Sequence, residues 1–186
     1  MEFIKTKIID LIICVPHIFS DERGYFFESF NQEDFEKHLG KPIRFCQDNE
    51  AKSTKGVLRG LHYQLPPYAQ SKLVRVISGK VLDIAVDIRR GSATFGQYVA
   101  VELSGENKHQ LFVPAGFAHG YVVLSDEAIF SYKVDNYYHK ASERGIIFND
   151  TELQIDWKLP LNELLISEKD KIQPTFNRAD LFETNF

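Results

Sequence analysis

Between Lys72 and Lys133 the chain alternates apolar and polar residues with a period of two, interrupted by turn-forming residues. From Lys80 to Arg89, Leu82, Ile84, Val86 and Ile88 fall on one face, and Val81, Asp83, Ala85, Asp87 and Arg89 on the other. That is the pattern of a half-buried strand. Lys72 to Ile77 reads as the preceding strand, with Ser78-Gly79 as the turn between them. Tyr98 to Leu103, Gln110 to Val113, Gly120 to Leu124 and Ala128 to Lys133 repeat the pattern, separated by Ser104-Gly105, Pro114-Ala115-Gly116 and Ser125-Asp126. Short strands at this spacing predict an all-β sandwich, jelly roll or barrel. The absence of helical segments between them argues against a parallel α/β sheet. One helix is predicted from Gln32 to Leu39, capped by Asn31 and closed by Gly40, and the tail beyond Leu161 reads as a short helix or turns.

Composition narrows the partners more than the fold. The 186 residues show no repeat, low-complexity stretch or internal boundary, so a single domain over residues 1–186 is expected. Fifteen Phe and eight Tyr suit strands and stacking surfaces. A net charge of −4 gives no general attraction for nucleic acid or an anionic membrane, so an anionic ligand needs a local cluster of positive residues. The apolar run Leu11 to Val15 is too short for a membrane span or signal core, and a cytoplasmic location is expected. Cys14 and Cys46 lack metal-ligand spacing and read as reduced thiols.

Several polar residues could carry chemistry. In Gly56-Val57-Leu58-Arg59-Gly60-Leu61-His62-Tyr63-Gln64, His62 sits on a strand leading into Pro66-Pro67. An imidazole titrates near neutrality, so it can serve as a general base or simply bond a backbone carbonyl. A barrel metal site needs two histidines one residue apart with a carboxylate nearby. Here Gln64 occupies the second position, and His62 with His119 alone would make a poor site, so no metal is expected. Arg23, Arg44, Lys52, Lys55, Arg59, Lys72 and Arg75 cluster in the first half, where arginines could hold a diphosphate or merely coat a solvated strand face. Pro114 to Gly120 forms a corner that places His119 at the start of a strand, and Tyr132 is either a core tyrosine or an acid at the rim.

Taken in order, these segments resemble the dTDP-4-dehydrorhamnose 3,5-epimerase family. The matching stretches include Asp21-Glu22-Arg23-Gly24 with Phe27-Glu28, Gln47-Asp48-Asn49, Gly56 to Gln64, Gln70 to Val76 and Val86 to Arg89. They continue through Pro114 to Gly120, Leu124-Ser125-Asp126, Tyr132-Lys133, Glu143-Arg144-Gly145, Ile155-Asp156-Trp157 and Ser167 to Asp170, covering nearly the whole chain. The resemblance implies a cupin-type jelly roll with a few short helices. It also implies an isomerase that inverts C3 and C5 of dTDP-4-dehydro-6-deoxy-D-glucose in dTDP-L-rhamnose biosynthesis.

In that reading His62 is the base, Asp170 its partner, Lys72 the stabiliser of the enolate and Tyr132 the acid on the opposite sugar face. Substrate contacts fall on Arg23, Glu28, Gln47, Asp48, Asn49, Arg59, Lys72, His119, Glu143 and Lys169, and Phe26 or Tyr138 could stack on thymine. No metal or redox cofactor is required, because the ketone acidifies both neighbouring carbons. A homodimer with exchanged N-terminal strands is also implied. Ala51, where relatives often carry serine, and Val134-Asp135-Asn136 depart from the family pattern. The alternatives are a single-site epimerase, a non-catalytic sugar-binding cupin and a metal-dependent cupin, the last disfavoured by Gln64.

Overall fold

The computed structural model describes residues 1–183 as two facing sheets. The first sheet runs in the order β1 (Glu2–Lys5), β2 (Ile12–Val15), β10 (Gln110–Val113), β7 (Lys72–Ser78), β12 (Glu127–Val134) and β5 (Gln47–Thr54). The second runs β13 (Glu143–Gly145), β6 (Val57–Gln64), β11 (Phe117–Val123), β8 (Lys80–Asp87) and β9 (Tyr98–Ser104), with β14 (Leu165–Ile166) beside β6. β3 (Phe19–Asp21) and β4 (Gly24–Phe26) form a separate hairpin. This is the expected all-β jelly roll. β1 and β2 pair with one another, and β2 joins β10 of the same chain.

The predicted helix is present as α1 (Gln32–Leu39). Asn31 accepts a bond from the Asp34 N–H, and Gly40, at φ 69°, donates to the Glu36 carbonyl. The tail forms 3₁₀ turns at Leu161–Glu163 and Phe176–Arg178 and the short helix α2 (Glu168–Lys171).

One expectation is corrected. β8 is not half-buried; from Val81 onward every residue in it is buried. Its Val81 and Ala85 pack between the sheets with Val74, Val76, Phe130 and Tyr121. Its other face, Leu82, Ile84 and Val86, lies under Ile146, Leu153, Trp157, Leu164 and Phe182 from the C-terminal segment. That segment covers the back of the second sheet, while Phe35 of α1 helps cover the first. Asp83 and Asp87 are therefore fully buried carboxylates rather than surface ones. Among the described residues no helix is long and apolar enough to cross a membrane.

Candidate active site

Between the sheets lies a cavity of about 460 Å³ lined by His62, Lys72, His119, Tyr132, Asp170, Arg59, Tyr121, Phe130 and Lys169, among others. Strand register explains which side chains meet there. On β12, Tyr132 stands opposite Val74 of β7, and Val134 opposite Lys72. Because side chains alternate, Tyr132 and Lys72 face the same side as diagonal neighbours. On the second sheet, His62 of β6 is directly opposite His119 of β11. The two strands approach closely at Gly60, which has a φ of 118°. A Cβ there would lie 2.7 Å from the Gly120 Cα, so no side chain fits. The imidazoles thus come from one sheet, and the phenol and ammonium from the other.

His62 Nε2 lies 2.6 Å from Asp170 Oδ1, across a separation of 108 residues in sequence. Ser167 caps α2 by accepting the Asp170 N–H, which aims the carboxylate at the ring. Burial pushes the Asp170 carboxyl up, but its bonds from His62, Ser167 and the Gly60 backbone outweigh this and hold it below the usual 3.8. An ionised Asp170 keeps a proton on Nε2 and leaves Nδ1 as the basic atom.

Lys72 is half-buried, and desolvation lowers its ammonium from the ordinary 10.5 to about 8, against the attraction of Asp83 and Glu143. Burial raises the Tyr132 phenol, partly opposed by Arg59, so at neutral pH it is a protonated donor. The wall therefore holds a histidine paired with a carboxylate, a lysine of lowered pKa and a protonated phenol.

The other predicted contacts separate into groups. Arg59 and Lys169 line the cavity. Glu143 joins them indirectly: its Oε2 is 2.6 Å from Lys169 Nζ and accepts the Tyr138 hydroxyl at 2.9 Å. Burial raises the Glu143 carboxyl, but these bonds prevail and lower it. Asn49 is opposite Tyr132 in register, so Gln47, Asn49 and Ala51 share the cavity-facing side of β5. Asp48 does not. It faces away and binds Lys133 Nζ at 2.9 Å on the outer side.

Arg23 and Glu28 are not brought to this cavity either. Arg23, its side chain 85% exposed, binds Asp21 on the β3–β4 hairpin, where Phe26 is also exposed. Of the cationic residues clustered in the first half of the sequence, Arg59 and Lys72 alone line the cavity. Gln64 serves the fold: its amide donates to the Tyr68 and Tyr137 carbonyls and accepts the His139 N–H.

Sequence reasoning missed Asp83. Its two oxygens lie 2.9 and 3.0 Å from His119 Nε2, and it is wholly buried. Burial raises this carboxyl against the pull of His119 and Lys72. The available signal was an acid interrupting the otherwise aliphatic run Val81 to Val86, since unpaired carboxylates are almost never fully buried.

A jelly roll whose sheets enclose a histidine–aspartate pair, a lysine and a phenol is the architecture of a proton-transfer isomerase acting on a compact ligand. The family model described as dTDP-4-dehydrorhamnose 3,5-epimerase matches residues 5–178. The protein of that name from Shigella flexneri is 57% identical over 182 residues, covering 98% of this chain and 99% of its own. The one from Pseudomonas aeruginosa is 52% identical over 183 residues, covering 98% and 99%. The crystal structure of a dTDP-6-deoxy-D-glucose-3,5-epimerase from Legionella pneumophila in complex with dTDP-4-keto-L-rhamnose superposes with a TM-score of 0.95 at 49% identity, covering 100% of this chain and 99% of that one. The chain belongs to the dTDP-4-dehydrorhamnose 3,5-epimerase family.

Proposed function

We propose that the protein is an isomerase that converts dTDP-4-dehydro-6-deoxy-D-glucose into dTDP-4-dehydro-L-rhamnose by inverting C3 and C5, a step of dTDP-L-rhamnose biosynthesis. The observation that carries this reading is His62 on one sheet, paired at 2.6 Å with Asp170 of α2, with Tyr132 on the facing sheet. Nδ1 of His62 takes the proton from carbon beside the C4 ketone, and Asp170 stabilises the imidazolium that results. Lys72 meets the oxygen on which the enolate charge grows. Tyr132 returns a proton from the other face of the ring, and the carbon is inverted. His119, held by Asp83, supplies a further polar contact beside Lys72.

Arg59 and Lys169 suit the diphosphate, whose charge the net-acidic chain must hold locally. Gln47 and Asn49 border the same space, and Tyr138 at the rim offers a stacking surface for thymine. Arg23 and Glu28 enter the proposal through a homodimer. Phe19, Tyr25 and Phe26 are 58%, 59% and 69% exposed, an apolar face that a second copy would cover. The exchanged element would then be the β3–β4 hairpin, since β1 and β2 are paired within their own chain. A cytoplasmic location fits the free thiols Cys14 and Cys46.

The decisive experiment is solvent exchange. In deuterated water, NMR should show deuterium entering C3 and C5 of the nucleotide sugar. His62→Ala should abolish this, and Tyr132→Phe should keep exchange while impairing inversion. Equal loss in both variants refutes the division between base and acid. Deuterium at a single carbon would instead indicate a single-site epimerase.

A further inference from the structure

We infer that the Tyr121 hydroxyl is a ligand-binding group, donating a hydrogen bond to a phosphate oxygen of the nucleotide held by Arg59. The inference deepens the function proposed above and rests on it. Tyr121 lies on β11, directly opposite Arg59 of β6. It lines the cavity, yet the residue is only 5% exposed. Among the described residues its hydroxyl is the one buried side-chain polar atom without a hydrogen-bond partner in the protein. Such groups are rare, because an unmet donor forfeits its hydration for no return.

The hydroxyl cannot readily escape. Its ring stacks on Phe130 at 4.0 Å and 14°, clamped between the two sheets. Ser53 borders it, but the Ser53 Oγ accepts from Arg59 Nε and Nη2 at 3.2 and 3.1 Å, so it can offer the phenol its own O–H and not an acceptor for the Tyr121 proton. Those two bonds also fix the guanidinium and leave Nη1 for an anion. Burial raises the Tyr121 phenol, with Arg59 and the Ser53 hydroxyl opposing, so the group stays a neutral donor. An anion beside Arg59 is what a stranded donor can meet. Across the same cavity Ala51 contributes a methyl group and no polar atom, so on this wall the phenol supplies what residue 51 does not.

The test is Tyr121→Phe, which keeps the ring and its stacking. Calorimetry with dTDP should show affinity falling about ten- to a hundredfold, the range for a hydrogen bond to a charged acceptor. KM should rise in parallel with kcat within about twofold. Thermal melting of the free variant should be unchanged or higher, because the unmet hydroxyl is gone. Adding Ala51→Ser to Tyr121→Phe should recover part of the affinity.

Unchanged dTDP affinity overturns the inference. So does a fall in kcat alone, which would assign the hydroxyl to Tyr132 and the proton transfer. A lowered melting temperature would make it a structural group. If the wild type itself fails to bind dTDP, the functional proposal falls too; if the wild type binds and the variant binds equally, only this inference does.

Discussion

Replacing Lys72 by methionine should make the protein a worse enzyme and a more stable fold. The ammonium's pKa falls from 10.5 to about 8 because desolvation outweighs its attraction to Asp83 and Glu143. A displacement of that size corresponds to about 3 kcal/mol of unfavourable interaction in the charged form. Lys72 opens onto the cavity and is half-buried, so solvent relieves part of the penalty and about 1–3 kcal/mol is the working range.

Methionine matches the aliphatic stem and carries no charge, so urea denaturation at pH 7 should show the variant stabilised by that amount. The pH dependence follows from the depressed pKa. Below about 8 the lysine is charged in both states and the full penalty applies. Between about 8 and 10.5 the unfolded chain binds more protons than the native one, so wild-type stability rises and the gap between the two proteins closes. In the same variant kcat should fall about 10²–10³-fold, as when an oxyanion donor is removed. A variant that is destabilised at pH 7, or whose advantage is flat with pH, refutes the reasoning.

Asp83→Asn removes the attraction that sustains the Lys72 charge, so the alkaline limb of kcat should move below about 8, with activity down roughly 10–100-fold; an unmoved limb would disconnect the two residues. Asp170→Asn should lower kcat about a hundredfold or more. Because the folded Asp170 pKa is depressed, the wild type's stability advantage should be full above the ordinary 3.8 and fade as pH falls through the native value, which urea melts between pH 3 and 7 would follow. Burial pushes the Cys14 thiol up to about 12, so a thiol reagent should quickly modify the half-buried Cys46 and leave Cys14 untouched until the protein unfolds.

Where local chemistry decided the structure, the sequence was readable. Asn31 and Gly40 announced both ends of α1 because capping is a property of a few adjacent residues. The central strands were legible from alternation, to within a residue or two for most. β5 was not, because Gln47 to Thr54 is polar on both faces apart from Ala51. It is an edge strand whose inner side borders the cavity and whose outer side meets solvent, so it never had to alternate.

The burial of β8 was misread for the opposite reason. Whether Asp83 and Asp87 face water depends on the facing sheet and on the C-terminal segment that covers the other face, neither of which is local. The site divided in the same way. The His62–Asp170 pairing, spanning 108 positions, came from resemblance and not from any spacing rule. That Asp48 stands on the other side of β5 from Gln47 and Asn49 was equally hidden, because one residue of register along a strand reverses the side on which a side chain stands.

The placement of His62 and Tyr132 on different sheets has a consequence that no single strand could deliver. Residues on one face of a sheet all approach a ligand from the same direction, so an inversion at carbon, which needs removal and delivery from opposite sides, demands a second surface. The jelly roll provides one, at a spacing set by inter-sheet packing rather than by hydrogen-bond register. Here that spacing is held by Phe130 and Tyr121, stacked at 4.0 Å across the gap, two residues before Tyr132 on β12 and two after His119 on β11. A packed aromatic pair resists compression in a way that polar contacts do not. The core that stabilises the fold is thus continuous with the gauge that separates Tyr132 from His62, which is why the cavity floor is aromatic where a solvated site would be polar.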